Sequence, residues 1–203
     1  MAPISDALRR GEAAAGPALD RLIAAGREHF GRDGYAGTSL DAVVAAAGVT
    51  KGSLYHHFKG KADLFEAVFR QRAAELSEQV AAASLPERDP WQAAYAGVRA
   101  YLDGSQEAAV ERIMLLDGPS VLGWERVREI EAEYGLALIK TSIGRLVDAG
   151  EIRRPDVDVL AHLLFGAITE GVLLVTRSPD PSAARRTVER EIRRLVDGLG
   201  EPA

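Results

Sequence analysis

Apolar residues recur three and four positions apart along almost the whole chain. Leu19, Leu22, Ile23 and Phe30 set the spacing. It returns in Leu64, Phe65, Val68, Phe69 and Leu76, and near the end in Ala184, Val188, Ile192, Leu195 and Leu199. That period gathers apolar side chains into one stripe of a helix. No clean period-2 segment and no hairpin turn between apolar runs competes with it. Such a chain buries its apolar surface by packing helix against helix, so the expected fold class is all-α.

Glycine and proline divide the pattern into about nine helices. The first begins near Pro17 and stops at Gly31 and Gly34. Thr38 is the expected N-cap of a short helix ending at Gly48, with Asp41 three residues on as a weak capping box. Thr50 caps another short helix that ends near Phe58. Further helices are expected over 61–83, 91–103, 107–116, 124–149, 157–176 and 182–199, with DGPSVLG (117–123) as a turn. Residues 1–16 are small and polar and read as a flexible tail. The expected division is that tail, a head over 17–72 and a second domain over 73–203.

The chain has 203 residues and no cysteine, which excludes disulfides, thiolate zinc sites and thiol nucleophiles. No uninterrupted apolar run reaches the roughly 18 residues of a membrane span, and residues 1–16 lack a signal-peptide core. A cytoplasmic protein without membrane contact is expected. The net charge is −5, unevenly spread. Residues 1–72 hold ten Lys and Arg against eight Asp and Glu, whereas residues 73–203 hold 15 against 22. A weakly basic head on an acidic body suggests two tasks.

The two short helices around Gly48 form a helix–turn–helix. At about 100° per residue, Leu54 and Phe58 of the second helix point inward. Gly52, Ser53, Tyr55 and His56 spread over the opposite arc. That arc has little bulk near its start, so a nucleic-acid backbone could approach closely. Lys51 can reach a guanine edge or a phosphate, and Thr50 and Ser53 offer short hydroxyls. Thr38 and Lys61 begin flanking helices, where free N–H groups favour phosphate. His56 and His57 diverge by about 100°, unlike the i,i+4 pairs of helical metal sites. No metal and no cofactor are expected, and no nucleophile–base–acid set or phosphate loop points to an enzyme.

The pattern Leu22-Ile23-Ala24-Ala25, Phe30, Gly34-Tyr35, Thr38-Ser39-Leu40, the unbroken run from Ala47 to Phe58, then Lys61 and Leu64 resembles the TetR family of transcriptional regulators. The resemblance covers roughly residues 17–72. It implies a three-helix DNA-binding domain whose third helix enters the major groove. Lys51 and Gly52 match base-contacting positions. Thr38, Thr50, Tyr55, His56, His57 and Lys61 match positions that mostly hold phosphate, although His57 could equally be a wedge between helices. Two residues depart from the pattern: His56 replaces a common second aromatic, and Val43-Val44 replaces Ile-Ala. Arg9 and Arg10 could reach a minor groove as an arm, or stay unengaged.

A single helix–turn–helix contacts few base pairs, so a dimer reading two half-sites of a palindromic operator is expected. The last two helices are the natural interface. Gly166, Ala167 and Gly171 would allow close approach, and Ala184, Val188, Ile192, Leu195 and Leu199 would supply the apolar stripe. The resemblance implies a four-helix bundle made by both subunits. It also implies a pocket for a small organic effector in the middle helices. The candidate lining residues are Trp91, Tyr95, Met114, Trp124, Tyr134, Leu138, His162, Phe165 and Glu170, each equally compatible with core packing. The function implied is a homodimeric repressor released from its operator by a small molecule. The alternative is an architectural DNA-binding protein without an effector.

Overall fold

The structure is a computed structural model that describes the backbone of residues 4–200 and the side chains of residues 16–200. Nine helices and no strand make up the described residues. They are α1 (Ile4–Gly37), α2 (Leu40–Ala47), α3 (Lys51–His57), α4 (Lys61–Ser84), α5 (Pro90–Gly104), α6 (108–122), α7 (124–148), α8 (Val157–Thr176) and α9 (Pro181–Asp197). The all-α expectation and the helix count both hold.

Some boundaries move. Helix α1 starts at Ile4, so Pro17 lies inside it and the expected tail over 1–16 is mostly helical. Ala, Leu, Arg and Glu dominate residues 7–15, and all are good helix formers. Residues 1–3 and the side chains of Arg9 and Arg10 lie outside the described residues. Gly31 does not end α1. It lets the helix press on Ala109, whose Cβ lies 2.8 Å from where a Gly31 Cβ would sit. The helical geometry breaks at Gly34 (φ 73°, ψ 172°). The DGPSVLG segment is helical rather than a turn. Pro119 sits in the first turn of its α-helical stretch, where a missing N–H costs little.

The core is continuous through the head and the body. Phe30, Phe65 and Phe69 pack with Leu22, Leu54 and Val68 from the head, and also with Ile113, Val127 and Ile130 from α6 and α7. The division expected after residue 72 therefore falls in the middle of α4, with a shared core on both sides of it. Polar ties follow the same path. Arg126 of α7 donates to Glu66 of α4 at 2.6 Å. Together with Arg70, it holds the Glu66 carboxyl below its ordinary range. Buried Arg72 pairs with Glu75 and Glu107, both at 2.6 Å.

Helix α8 is the one described helix long and apolar enough to cross a membrane. It is 20 residues long, and its most apolar 18-residue window has a mean hydropathy of 1.9, which length and composition alone allow in the buried helix of a helical bundle as well. Asp158, His162, Thr169 and Glu170 interrupt the run. Its inward residues Ala161, Phe165, Ile168 and Val172 pack into the bundle, while Val159, Leu163 and Leu174 are exposed.

Candidate nucleic-acid interface and effector cavity

The turn between α2 and α3 is built on Gly48, whose φ of 62° lies in the left-handed region. Its N–H closes α2 on the carbonyls of Val44 and Ala45. Thr50 Oγ1 accepts the Ser53 N–H at 3.1 Å and starts α3. Leu54 and Phe58 are buried, which turns the opposite arc outward. Lys51, Gly52, Tyr55 and His56 are exposed on that arc, with Ser53 and His57 partly so. The His56 and His57 rings meet edge-on, 5.1 Å apart. Lys51 Nζ lies 2.8 Å from Asp41 Oδ1, in an exposed pair that costs little to open.

Two expected contacts face inward instead. Thr38 is 3 % exposed, and its hydroxyl donates to the Gly34 carbonyl at 2.8 Å. Ser39, not Thr38, caps α2 by accepting the Ala42 N–H. Lys61 Nζ donates to the carbonyls of Tyr35 (2.8 Å) and Thr38 (2.9 Å) and lies 4.3 Å from the centre of the Tyr35 ring. The last turn of α1 leaves carbonyls without helical partners; the Lys61 ammonium at the start of α4 joins the Thr38 N–H on the Tyr35 carbonyl and takes the Thr38 carbonyl just beyond the helix.

Below the head, α4, α5, α7 and α8 enclose a cavity of about 100 Å³. Met114, Tyr134, Leu138 and Phe165 line it; the other five expected residues do not. Trp91 donates from Nε1 to Glu151, and Tyr95 gives its hydroxyl to Asp197 beneath the Arg193 guanidinium. The first ties α5 to the segment between α7 and α8, and the second ties it to the end of α9. Burial and the Asp197 carboxylate push the Tyr95 phenol up to about 12. Trp124 is 59 % exposed against Arg128. His162 and Glu170 lie on the outer side of α8. Their spacing of eight does put them on one face, but the opposite face is the one that meets the bundle.

Tyr101 and Glu131 line the cavity without having been expected there. Glu131 follows Val127 by four positions, so the apolar stripe of its own helix carried the signal. Burial pushes the Glu131 carboxyl up and the Tyr101 phenol up to about 12. Two π-helical turns border the space, Glu111–Asp117 and Ala132–Leu136. Such turns break the regular ladder and are frequent at functional sites. The first carries Met114 into the cavity wall and ends at Asp117, whose carboxylate accepts the Tyr35 N–H at 2.7 Å.

The expected dimer residues divide. Gly171 packs against Val188 of the same chain, whose Cγ1 lies 2.6 Å from where a Gly171 Cβ would sit. Ile192 is buried, and Leu199 packs beneath α7 and α8. The stripe on α9 is thus largely consumed inside the protomer. Gly166 faces open space, Ala167 and Ala184 are half-buried and Leu195 is exposed.

The comparisons agree with this geometry. Residues 22–68 match the family described as bacterial regulatory proteins, tetR family, and residues 91–199 match the tetracyclin repressor-like C-terminal domain. The transposon Tn10 TetC protein of Escherichia coli is 28 % identical over 145 residues, 71 % of this chain and 73 % of TetC. The HTH-type transcriptional regulator SrpR of Pseudomonas putida is 27 % identical, over 86 % of this chain and 83 % of SrpR. The crystal structure of a TetR-family transcriptional regulator from Pectobacterium atrosepticum is 31 % identical, with a TM-score of 0.80 over 94 % of this chain and 98 % of its own. Matched in both its halves and along nearly its whole length, the chain belongs to the TetR family of DNA-binding transcriptional regulators.

Proposed function

We propose that the protein is a homodimeric repressor that leaves its operator when a small organic molecule enters the cavity. The observation carrying this reading is the π-helical turn 111–117, which joins the cavity wall at Met114 to the head at Asp117. A ligand that repacks Met114 acts on the element that anchors the end of α1. Lys51, Gly52, Ser53, Tyr55 and His56 form the DNA-facing arc, with Thr50 and His57 at its ends. Thr38 and Lys61 support that arc from behind. The dimer forms on the outward side of α8, through Val159, Leu163, Gly166, Ala167 and Leu174, together with Leu195 of α9. These residues are apolar, and covering them with a second copy removes them from water.

The mechanism is a population shift. The ligand binds more tightly to a geometry in which the two recognition helices no longer match successive major grooves, and it acts only through that difference in affinity. Selection of bound DNA from a random pool tests the first half. A palindrome with half-sites about 34–36 Å apart, or a multiple of that, is expected. The recovered operator then reports release by small molecules in an anisotropy assay. Cavity ligands that bind without lowering operator affinity would favour the architectural alternative.

A further inference from the structure

The cavity wall is mostly apolar, with the hydroxyls of Ser77, Ser84, Ser142, Tyr101 and Tyr134 and one carboxylate among its lining. Leu76, Val80, Val98, Ile139 and Leu164 contribute aliphatic surface, and the only charged side chain in the lining is Glu131. Its side chain is 14 % exposed. One oxygen, Oε2, has a partner: Arg128 Nη1 at 3.4 Å, a long contact from a guanidinium that is itself 38 % exposed and shared with the Trp124 ring. Oε1 has no hydrogen-bond donor among the described residues. Oε1 is not sealed inside the protein, so it stays open to a positive or donating group that enters the cavity. Tyr101 lines the same cavity and offers a further polar group.

We infer that the effector is a lipophilic organic cation, an amine or amidine whose positive nitrogen sits against Glu131 and whose hydrocarbon or aromatic body fills the apolar part of the cavity. This rests on the effector reading above. A protonated amine supplies the charge and the N–H donors that Oε1 lacks. A neutral alcohol supplies one donor and no charge. A carboxylate adds a second negative charge beside the first and is rejected. Discrimination thus comes from a single buried group rather than from the shape of the walls.

The test is calorimetric titration at pH 7 with three probes sharing one body: 4-phenylbutylamine, 4-phenylbutanol and 4-phenylbutanoate. Each is titrated into the full chain and into Glu131→Gln. The amine is expected to bind the native protein at least about tenfold more tightly than the alcohol, the scale of a charge-assisted hydrogen bond, and the carboxylate most weakly. In Glu131→Gln the amine should fall to the level of the alcohol, while the alcohol binds as before. Unchanged alcohol binding also shows that the variant is folded; should it not fold, the order of the three probes on the native chain decides alone. Alcohol bound as tightly as amine by the native chain, or an amine preference that survives in Glu131→Gln, overturns the cationic ligand and leaves the effector cavity standing. Failure of all three probes to bind overturns both.

Discussion

The Asp117 carboxylate accepts the Tyr35 backbone N–H at 2.7 Å, across 82 positions of sequence. Tyr35 lies one residue beyond the break at Gly34, and its own carbonyl takes the Lys61 ammonium. The backbone of one residue therefore receives the body through its N–H and the start of α4 through its C=O. Replacing Asp117 by Ala leaves that N–H part-buried and unpaired, at a cost of about 1–3 kcal/mol. The larger consequence is uncoupling. Asp117→Ala should keep ligand affinity while the ligand-induced drop in operator affinity shrinks severalfold. Anisotropy titrations with and without ligand measure that drop, and an unaltered drop would remove Asp117 from the path.

Tyr55 and Lys61 separate two roles that their shared match to phosphate-contacting positions had merged. Tyr55 is 60 % exposed and its hydroxyl makes no hydrogen bond among the described residues, so Tyr55→Ala should lower operator affinity and leave stability within about 0.5 kcal/mol of native. Lys61 is committed to two carbonyls. Lys61→Ala should destabilise the head by roughly 1–3 kcal/mol without changing the salt dependence of binding. A slope reduced by about one unit would instead mean that the ammonium also contacts phosphate.

Helix α8 supplies the proposed subunit contact, and α9 mostly holds it in place from inside. Leu163 is 66 % exposed in the protomer whereas Ile192 is 4 % exposed. Leu163→Asp should give a folded monomer by sedimentation, with helicity unchanged and operator binding lost. Ile192→Asp should unfold the chain, since emptying a buried aliphatic site costs ~2–5 kcal/mol before the buried charge is counted. A dimer that persists in Leu163→Asp would put the interface elsewhere.

Periodicity and glycine placement made the helices and the head readable from sequence. Gly48, Thr50, Leu54 and Phe58 stand where local rules put them, because capping and left-handed turns depend on near neighbours. Thr38, Lys61, Gly171 and Ile192 were readable as to element but not as to partner. Thr38 turns back on the Gly34 carbonyl while its neighbour Ser39 takes the cap, and Lys61, Gly171 and Ile192 have their roles fixed by segments distant in sequence. The pocket was hardest for the same reason. Trp91, Tyr95 and Trp124 have the right chemistry for a ligand wall, yet only the packing of α5 and α7 decides which side they take. Glu131 is the converse case, a charge on an apolar stripe, and it makes sense only once the stripe is seen to border a cavity.

Glu131 also predicts how stability responds to pH in the empty protein. Burial raises its carboxyl above the ordinary glutamate value of 4.5 in the folded state. Below that value both folded and unfolded chains are protonated at this site, and it contributes no pH dependence. As pH rises past 4.5 the unfolded chain ionises first, so the folded state loses stability until its own carboxyl ionises. Glu131→Gln has no proton to lose there. Its thermal midpoint should gain on the native protein as pH rises from about 4 and then level off, by roughly 2–4 °C for each ~1 kcal/mol of relief. The comparison is a pair of thermal scans across pH, read as the difference between the two proteins so that other carboxylates cancel. A difference that stays flat would mean that Arg128, rather than burial, governs the group. A lipophilic amine should raise the native midpoint most above the pH at which Glu131 ionises, because only the carboxylate form holds the cation.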